Sequence, residues 1–342
     1  MDIRKSKEMT KIVIFSDASS EKQINGVKTT IEMTKKCLIE KGYEVSIIGP
    51  DQYSLTVPLQ PSTGIYMPIF PIGLVEEALR DADHVHIATE GAIGLAARYT
   101  CKKQKRKYTT SFHTKFPDYL YEHAYISPRV TGKYFRWFHR NSHNILVPTP
   151  AMVDYCAKLG IKKTKVWTRG VDTSLFSPCI DPESRDKNGP IKAVYVGRIS
   201  AEKNLEAFLS IKNGWIRKTL IGDGPQLEEY KAKYPNVNFL GKKNKYEIAN
   251  ELRKHDVFAW PSLTDTFGLV VLEGMASGLP VAAFRNDVNE YIIEHNVSGV
   301  LHDNDLEEAI IGAHMLDRKD AVKRAKHFSW EAATDQFLEN LI

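Results

Sequence analysis

The chain predicts an α/β protein of two Rossmann-like domains, each a doubly wound parallel sheet with helices on both faces. Three observations carry that expectation. Short apolar runs rich in β-branched residues alternate with helix-length segments, the alternation restarts after Val171, and polar, glycine-bearing loops follow the runs. With 342 residues there is chain enough for two domains, each burying its own core.

Residues 11–15 open the first series as a strand. A polar loop follows, in which Asn25-Gly26 makes a turn with exposed N–H groups, and then a helical stretch over 29–41 that Gly42 closes. Further strands are expected at 43–48, 84–88, 107–112 and 144–147, each behind a helical or basic segment. The second series runs 193–196, 217–221, 237–240, 257–260 and 280–283. Residues 179–190, rich in Asp, Pro, Ser and Gly, read as a linker, with the functional boundary nearer Gly170. The expected division is therefore 1–170, 171–327 and a C-terminal segment 328–342. In that segment a helix starts at Ser329 and sets Trp330, Phe337, Leu338 and Leu341 at helical spacing.

Composition excludes several classes. Hydrophobic content of 42% and charged content of 26% are ordinary globular values. No apolar run reaches the roughly 18 residues of a membrane span, and the N-terminal residues lack the apolar core of a signal peptide, so a cytoplasmic protein is expected. Cys37, Cys101, Cys156 and Cys179 show neither C-x-x-C spacing nor the density of a disulfide framework. The net charge of +5 divides unevenly: residues 1–170 hold 26 Lys+Arg against 16 Asp+Glu, and the remainder hold 21 against 26. Much of the excess lies between Lys102 and Arg140. Such a face suits an anionic membrane surface, and equally a solvated surface; nucleic acid is not the expected partner. Residues 133–140 are basic and aromatic, which fits either membrane insertion or packing against the first sheet.

Ligands of doubly wound sheets bind beyond the carboxyl ends of the strands, so the loops there carry the chemistry. After residue 196 come Gly197 and Arg198, with Lys203 five residues on, a cationic pair suited to a diphosphate. After residue 221 come Gly222 and Gly224, and after residue 240 come Gly241 and Lys242. Asp265 lies in the loop after residue 260, and Glu273 follows eight positions later on a helix that Phe267, Gly268 and Leu269 are expected to open. The free N–H groups and positive dipole end of that helix face whatever lies beyond the turn. One carboxylate suits sugar hydroxyls and the other a ribose; the plainer reading is a helix-capping Asp and a solvated Glu. Asp81, Asp83, Asp303 and Asp305 form two D-x-D spacings, but isolated carboxylate pairs rarely hold Mg²⁺ without substrate phosphates, and no metal or cofactor is expected.

These motifs resemble those of the retaining glycosyltransferases of sequence family 4, which have the GT-B fold. The segments 196–204, 221–225 and 265–273 stand in the family's order and spacing, and the first half matches at 25–27, 88–91, 110–117, 136–139, 147–150 and 169–172. The subset resembled contains the GDP-mannose-dependent α-mannosyltransferases and the sulfoquinovosyl-diacylglycerol synthases. The resemblance implies that Arg198 and Lys203 grip the donor diphosphate, that Glu273 holds the ribose, and that Asp265 contacts the donor sugar with backbone N–H groups of Phe267 to Leu269. It places Gly26, within Asn25-Gly26-Val27, against the phosphates and His113 near the reacting centre. Asp265 departs from the family's usual Glu by one methylene. Implied as well are a nucleotide-sugar donor, GDP-mannose before a UDP-sugar, a lipid or glycan acceptor, metal-independent retaining transfer, and a last helix that crosses back to the first domain. Two alternatives stand beside this: a GT-B nucleotide-sugar 2-epimerase, which would need neither the 25–27 loop nor the 265–273 pattern, and a non-catalytic binding module built on the basic half.

Overall fold

The computed structural model describes residues 9–21, 25–60, 65–69, 71–178 and 189–342. It divides into two compact units, one of Met1–Thr168 with Trp330–Ile342 and the other of Arg169–Ser329. The expected linker, including Cys179, lies outside the described residues except at its last two positions.

The strands of the first unit are β1 (Lys11–Phe15), β2 (Glu44–Ile48), β3 (Thr56–Gln60), β4 (Ile65–Pro68), β5 (His84–Ile87), β6 (Thr109–Ser111), β7 (Ile145–Val147) and β8 (Thr164–Val166). Those of the second are β9 (Ile191–Val196), β10 (Ile216–Ile221), β11 (Asn238–Phe239), β12 (Val257–Trp260), β13 (Val281–Phe284) and β14 (Gly299–His302). The first main sheet has the order β2-β1-β5-β6-β7-β8 and the second β11-β10-β9-β12-β13-β14, with every pair parallel. β3 and β4 pair antiparallel as a separate hairpin. Strand order reverses between β1 and β5 in one unit and between β9 and β12 in the other, so the loops after these strands flank the switch points where doubly wound folds take ligands.

Four strands escaped the sequence reading. β8 and β14 are short edge strands that include Lys165 and His302, and β3 with β4 stand outside the main sheet, so none shows the unbroken apolar run of a central strand. The helix expected over 29–41 instead spans Gly26–Glu40. Asn25 is its N-cap, with Oδ1 accepting from Lys28 N–H at 2.8 Å, so Gly26 and Val27 form its first turn rather than a loop ahead of it.

The final helix, Trp330–Asn340, packs within the first unit. Phe337 is fully buried there, 4.9 Å from the rings of both Trp167 and His86. The Lys41 ammonium pairs with Asp335 at 2.7 Å. The basic segment lies in the helix Pro128–His139, whose aromatic residues divide: Phe135 and Phe138 enter the core, while Tyr134 and Trp137 stay exposed beside Lys133 and Arg136. Among the described residues no helix is long and apolar enough to cross a membrane. Cys37, Cys101 and Cys156 are buried and unpaired, and burial pushes the thiols of Cys101 and Cys156 up to about 12.

Candidate functional site

In the second unit three strand-end loops are bonded into one platform. Gly197 N–H donates to Ile221 O at 3.0 Å, Ile199 N–H to Asp223 O at 2.9 Å, and Gly222 N–H to Gly241 O at 2.9 Å. The glycines make this approach possible. A Cβ on Gly222 would fall 1.8 Å from the Gly197 carbonyl oxygen, and one on Gly224 would fall 2.2 Å from the Ile199 oxygen. Gly222 also has φ +149°, which a side chain rarely adopts.

On this platform Arg198 is exposed, and its guanidinium has no partner among the described residues. Lys203 ends a 3₁₀ turn, Ala201–Lys203, and Asn204 closes the turn in the left-handed region that Asn tolerates. The Lys203 ammonium lies 2.6 Å from Asp265 Oδ1 and 5.7 Å over the Trp260 ring. The loops after β9 and β12 are tied further by Asn204 Nδ2 to Pro261 O at 3.2 Å and Thr264 Oγ1 to Glu202 O at 3.3 Å.

The helix after Asp265 differs from expectation. It spans Leu269–Ala276, with Gly268 as its N-cap at φ +90°. Phe267 is not in its first turn but buried against Phe328, with ring centroids 6.0 Å apart. Asp265 does not cap the helix; its Oδ1 accepts from the Lys203 ammonium instead. Asp265 Oδ2, Ser262 Oγ and Trp260 Nε1 are buried and have no hydrogen-bond partner among the described residues. Three such atoms within six residues at one strand end fit a polar ligand. Glu273, mid-helix, is partly buried, and its crowded setting pushes the carboxyl up to about 7, with the Lys245 ammonium pulling the other way. Lys242 is exposed beside Gly241, whose φ is +68°.

In the first unit Asp17 lies in the loop after β1, Asn25 caps the helix Gly26–Glu40 whose first turn holds Gly26 and Val27, and the loop after β5 carries Glu90. Gly26 is exposed. His113 follows β6, buried, its ring 5.8 Å from Trp167. Two buried groups here were given no role by the sequence. Asp17 accepts from Ile93 N–H at 2.9 Å, Gly94 N–H at 3.3 Å and Thr89 Oγ1 at 2.8 Å, so it caps the helix Ala92–Lys103 from another strand. Burial pushes its carboxyl up, and those hydrogen bonds pull it back. Glu90 Oε1 lies 3.2 Å from His139 Nε2, whose Nδ1 meets Thr110 Oγ1 at 2.8 Å. Both partnerships join residues 49 or more apart, so no local pattern announced them. Of the D-x-D residues, Asp83 accepts from Lys11 N–H, Asp303 from Arg285, and Asp305 caps the helix Leu306–His314. Among the described residues no group of three or more His, Cys, Asp or Glu could hold a metal ion.

Two parallel doubly wound units, one with cations, carboxylates and close-packed glycines around its switch point, suit an enzyme that takes a phosphate-bearing ligand beyond its strand ends. The model of the family described as "Glycosyl transferases group 1" matches residues 190–315, and that of "Glycosyltransferase Family 4" matches residues 24–175. The chain belongs to the family 4 glycosyltransferases and has the GT-B fold. It is 27% identical over 367 residues to the sulfoquinovosyl transferase SQD2 of Arabidopsis thaliana, a match covering 95% of this chain and 72% of that protein. A GDP-mannose-dependent alpha-mannosyltransferase of Mycobacterium tuberculosis is 26% identical over 285 residues, covering 76% of this chain and 75% of that protein. Among solved structures, the sucrose-phosphate synthase of Thermosynechococcus elongatus superposes with a TM-score of 0.76 at 18% identity, covering 96% of this chain and 98% of that one.

Proposed function

We propose that the protein is a retaining, metal-independent hexosyltransferase that moves mannose from GDP-mannose to a lipid or glycan acceptor. The observation that carries this reading is the cluster at the second unit's switch point. Lys203 and Asp265, 62 residues apart in sequence, meet at 2.6 Å, and the exposed Arg198 stands five residues before Lys203 after the same strand, β9. An ammonium has three N–H donors, and one goes to Asp265 Oδ1, leaving two for a diphosphate. Asp265 Oδ2, buried and unpartnered, is left to accept a sugar hydroxyl.

The reaction breaks the bond between the sugar C1 and the donor phosphate oxygen and forms one from C1 to the acceptor oxygen. The acceptor proton passes to the departing phosphate. Negative charge builds on the diphosphate, and Arg198 with Lys203 stabilises it from fixed positions. Glu273 takes the ribose hydroxyls. The mannosyltransferase relative supports GDP-mannose as first donor, and a UDP-linked glucose-type sugar stands second. The basic residues between Lys102 and Arg140 bring the enzyme to an anionic membrane surface on the cytoplasmic side, where a lipid acceptor is met.

A thermal-shift panel of GDP-mannose, UDP-glucose, UDP-galactose and UDP-sulfoquinovose tests the donor. A ligand at 100 times its Kd adds about 2.7 kcal/mol, and GDP-mannose is expected to give the largest shift. No shift with any of the four overturns the reading. Product NMR tests retention, for which a β-mannosidic linkage is the adverse result, and activity is expected to persist in EDTA.

A further inference from the structure

Where β7 and β8 begin, at the opposite end of the first sheet from the strand ends that precede Gly26 and His113, lies a cavity of about 420 Å³. Lys133, Arg136, Arg140, Lys162 and Lys163 line it, and no carboxylate does. None of the five makes an ion pair among the described residues. Arg136 alone is engaged by its side chain, through Nε to Leu159 O at 3.0 Å, which leaves both terminal guanidinium nitrogens available.

Local sequence builds each wall. On the helix Pro128–His139 and its C-cap Arg140, positions 133, 136, 137 and 140 follow i, i+3, i+4, i+7 and share one stripe. The facing wall is the turn from Leu159 to Lys163. Gly160 has φ +73°, and a Cβ there would meet Arg136 Nε at 3.2 Å, so its absence lets the guanidinium lie along the turn. Ile145 N–H holds the Lys163 carbonyl at 3.0 Å and anchors the two lysines to the sheet. Trp137, which also lines the cavity, is braced from behind: the buried Arg98 guanidinium stacks 4.0 Å from its ring, and Arg98 donates to the Trp137 carbonyl at 3.0 Å.

Five cations around one recess repel one another, and a multiply charged anion relieves them together. We propose that this cavity binds a phosphate-bearing anion, carried either by a free phosphate or phosphomonoester or by the headgroup of an anionic lipid. A planar guanidinium pairs two phosphate oxygens at once, and the lysines supply charge around the remaining oxygens. The cavity exceeds a phosphate in volume, and Trp137 with Ile161 gives apolar contact to an attached organic group. Val130 and Tyr134, exposed on the same helix, extend that apolar edge outward in the manner of a lipid-facing surface. The cavity shares no residue with the donor platform of the second unit, and the inference does not depend on the donor reading.

The test uses the full chain and a triple variant, Arg140→Ala with Lys162→Ala and Lys163→Ala, all at exposed positions. One arm measures co-sedimentation with phosphatidylcholine vesicles, with and without phosphatidylglycerol. The other measures the thermal shift in millimolar inorganic phosphate or glycerol 3-phosphate. Wild type is expected to respond in at least one arm, and the triple variant to respond at least tenfold more weakly there; the arm that responds identifies the source of the phosphate. An unchanged unfolding midpoint and far-UV circular dichroism of the variant without ligand show that it folds. A control variant, Lys323→Ala with Lys326→Ala, removes exposed basic residues of the second unit that do not line the cavity and is expected to behave as wild type. The proposal is overturned if wild type responds in neither arm, if the triple variant matches it, or if the control loses as much as the triple variant.

Discussion

Replacing Lys203 by Ala separates two consequences of one contact. The ammonium sits 2.6 Å from Asp265 Oδ1, with side chains 17% and 22% exposed, and Asp265 Oδ2 has no donor among the described residues. Without Lys203 neither carboxylate oxygen keeps a partner. Breaking a buried pair costs about 3–5 kcal/mol and an exposed pair about 0–1, so this partly buried one is expected to cost roughly 2 kcal/mol. In a domain of this size that lowers Tm by roughly 4–8 °C. Turnover has a different cause: losing one fixed positive group at a developing anion raises the barrier by about 2.7–4 kcal/mol, a fall of roughly 10²–10³-fold. Adding Asp265→Asn removes the stranded charge, so the double variant is expected to regain most of the lost Tm and none of the lost turnover. Thermal denaturation and nucleotide release with saturating acceptor read the two effects. Near-wild-type kcat in Lys203→Ala, or recovery of kcat in the double variant, would refute the assignment of Lys203 to the leaving group.

Glu273→Gln tests a pH dependence. The carboxyl lies near 7 in the folded protein against an ordinary 4.5, so between these values the folded state holds a proton that the unfolded chain has lost. Wild-type stability therefore falls as pH rises through that window and stays lower above it. The Gln variant is expected to be more stable than wild type at pH 8, by at most roughly 3 kcal/mol, with the gain vanishing near pH 4.5; an equal difference at both pH values contradicts the cause given. The same variant is expected to bind donor more weakly, since the carboxylate proposed to hold the ribose is gone. Gly222→Ala drives a methyl into the Gly197 carbonyl at a backbone angle side chains avoid, and a loss of at least about 3 kcal/mol in denaturant unfolding is expected. Phe337→Ala empties a fully buried site against Trp167 and His86 and is expected to cost about 3–5 kcal/mol; a cost under 1 kcal/mol would mean that the last helix contributes little to the first unit.

Much of the architecture was legible because it is written in local patterns. Every central strand falls within two residues of its expected start, since fully covered strands must be apolar on both faces. Edge strands such as β14, with alternating burial, lack that signature. Helix ends were misjudged where one residue decided them. Asn25 starts a helix three positions before the apolar spacing does, and Gly268 delays another until after Phe267 has turned into the core.

Residue types and their spacing along the chain were enough to define two α/β units, the loops at their strand ends, and a family whose chemistry those loops fit. Periodicity and turn chemistry are properties of neighbours in sequence, and no partner elsewhere is needed to read them. Which charges meet depends on strand order. β9 lies beside β12, so Lys203 meets Asp265; β1 lies beside β5, so Asp17 reaches the helix that follows β5. The same tertiary packing desolvates Glu273, presses Gly222 onto Gly197, and gathers five cations from a helix and a distant turn into one cavity. Pair energies, desolvation and steric contact depend on distances in space, and only the folded chain sets those distances.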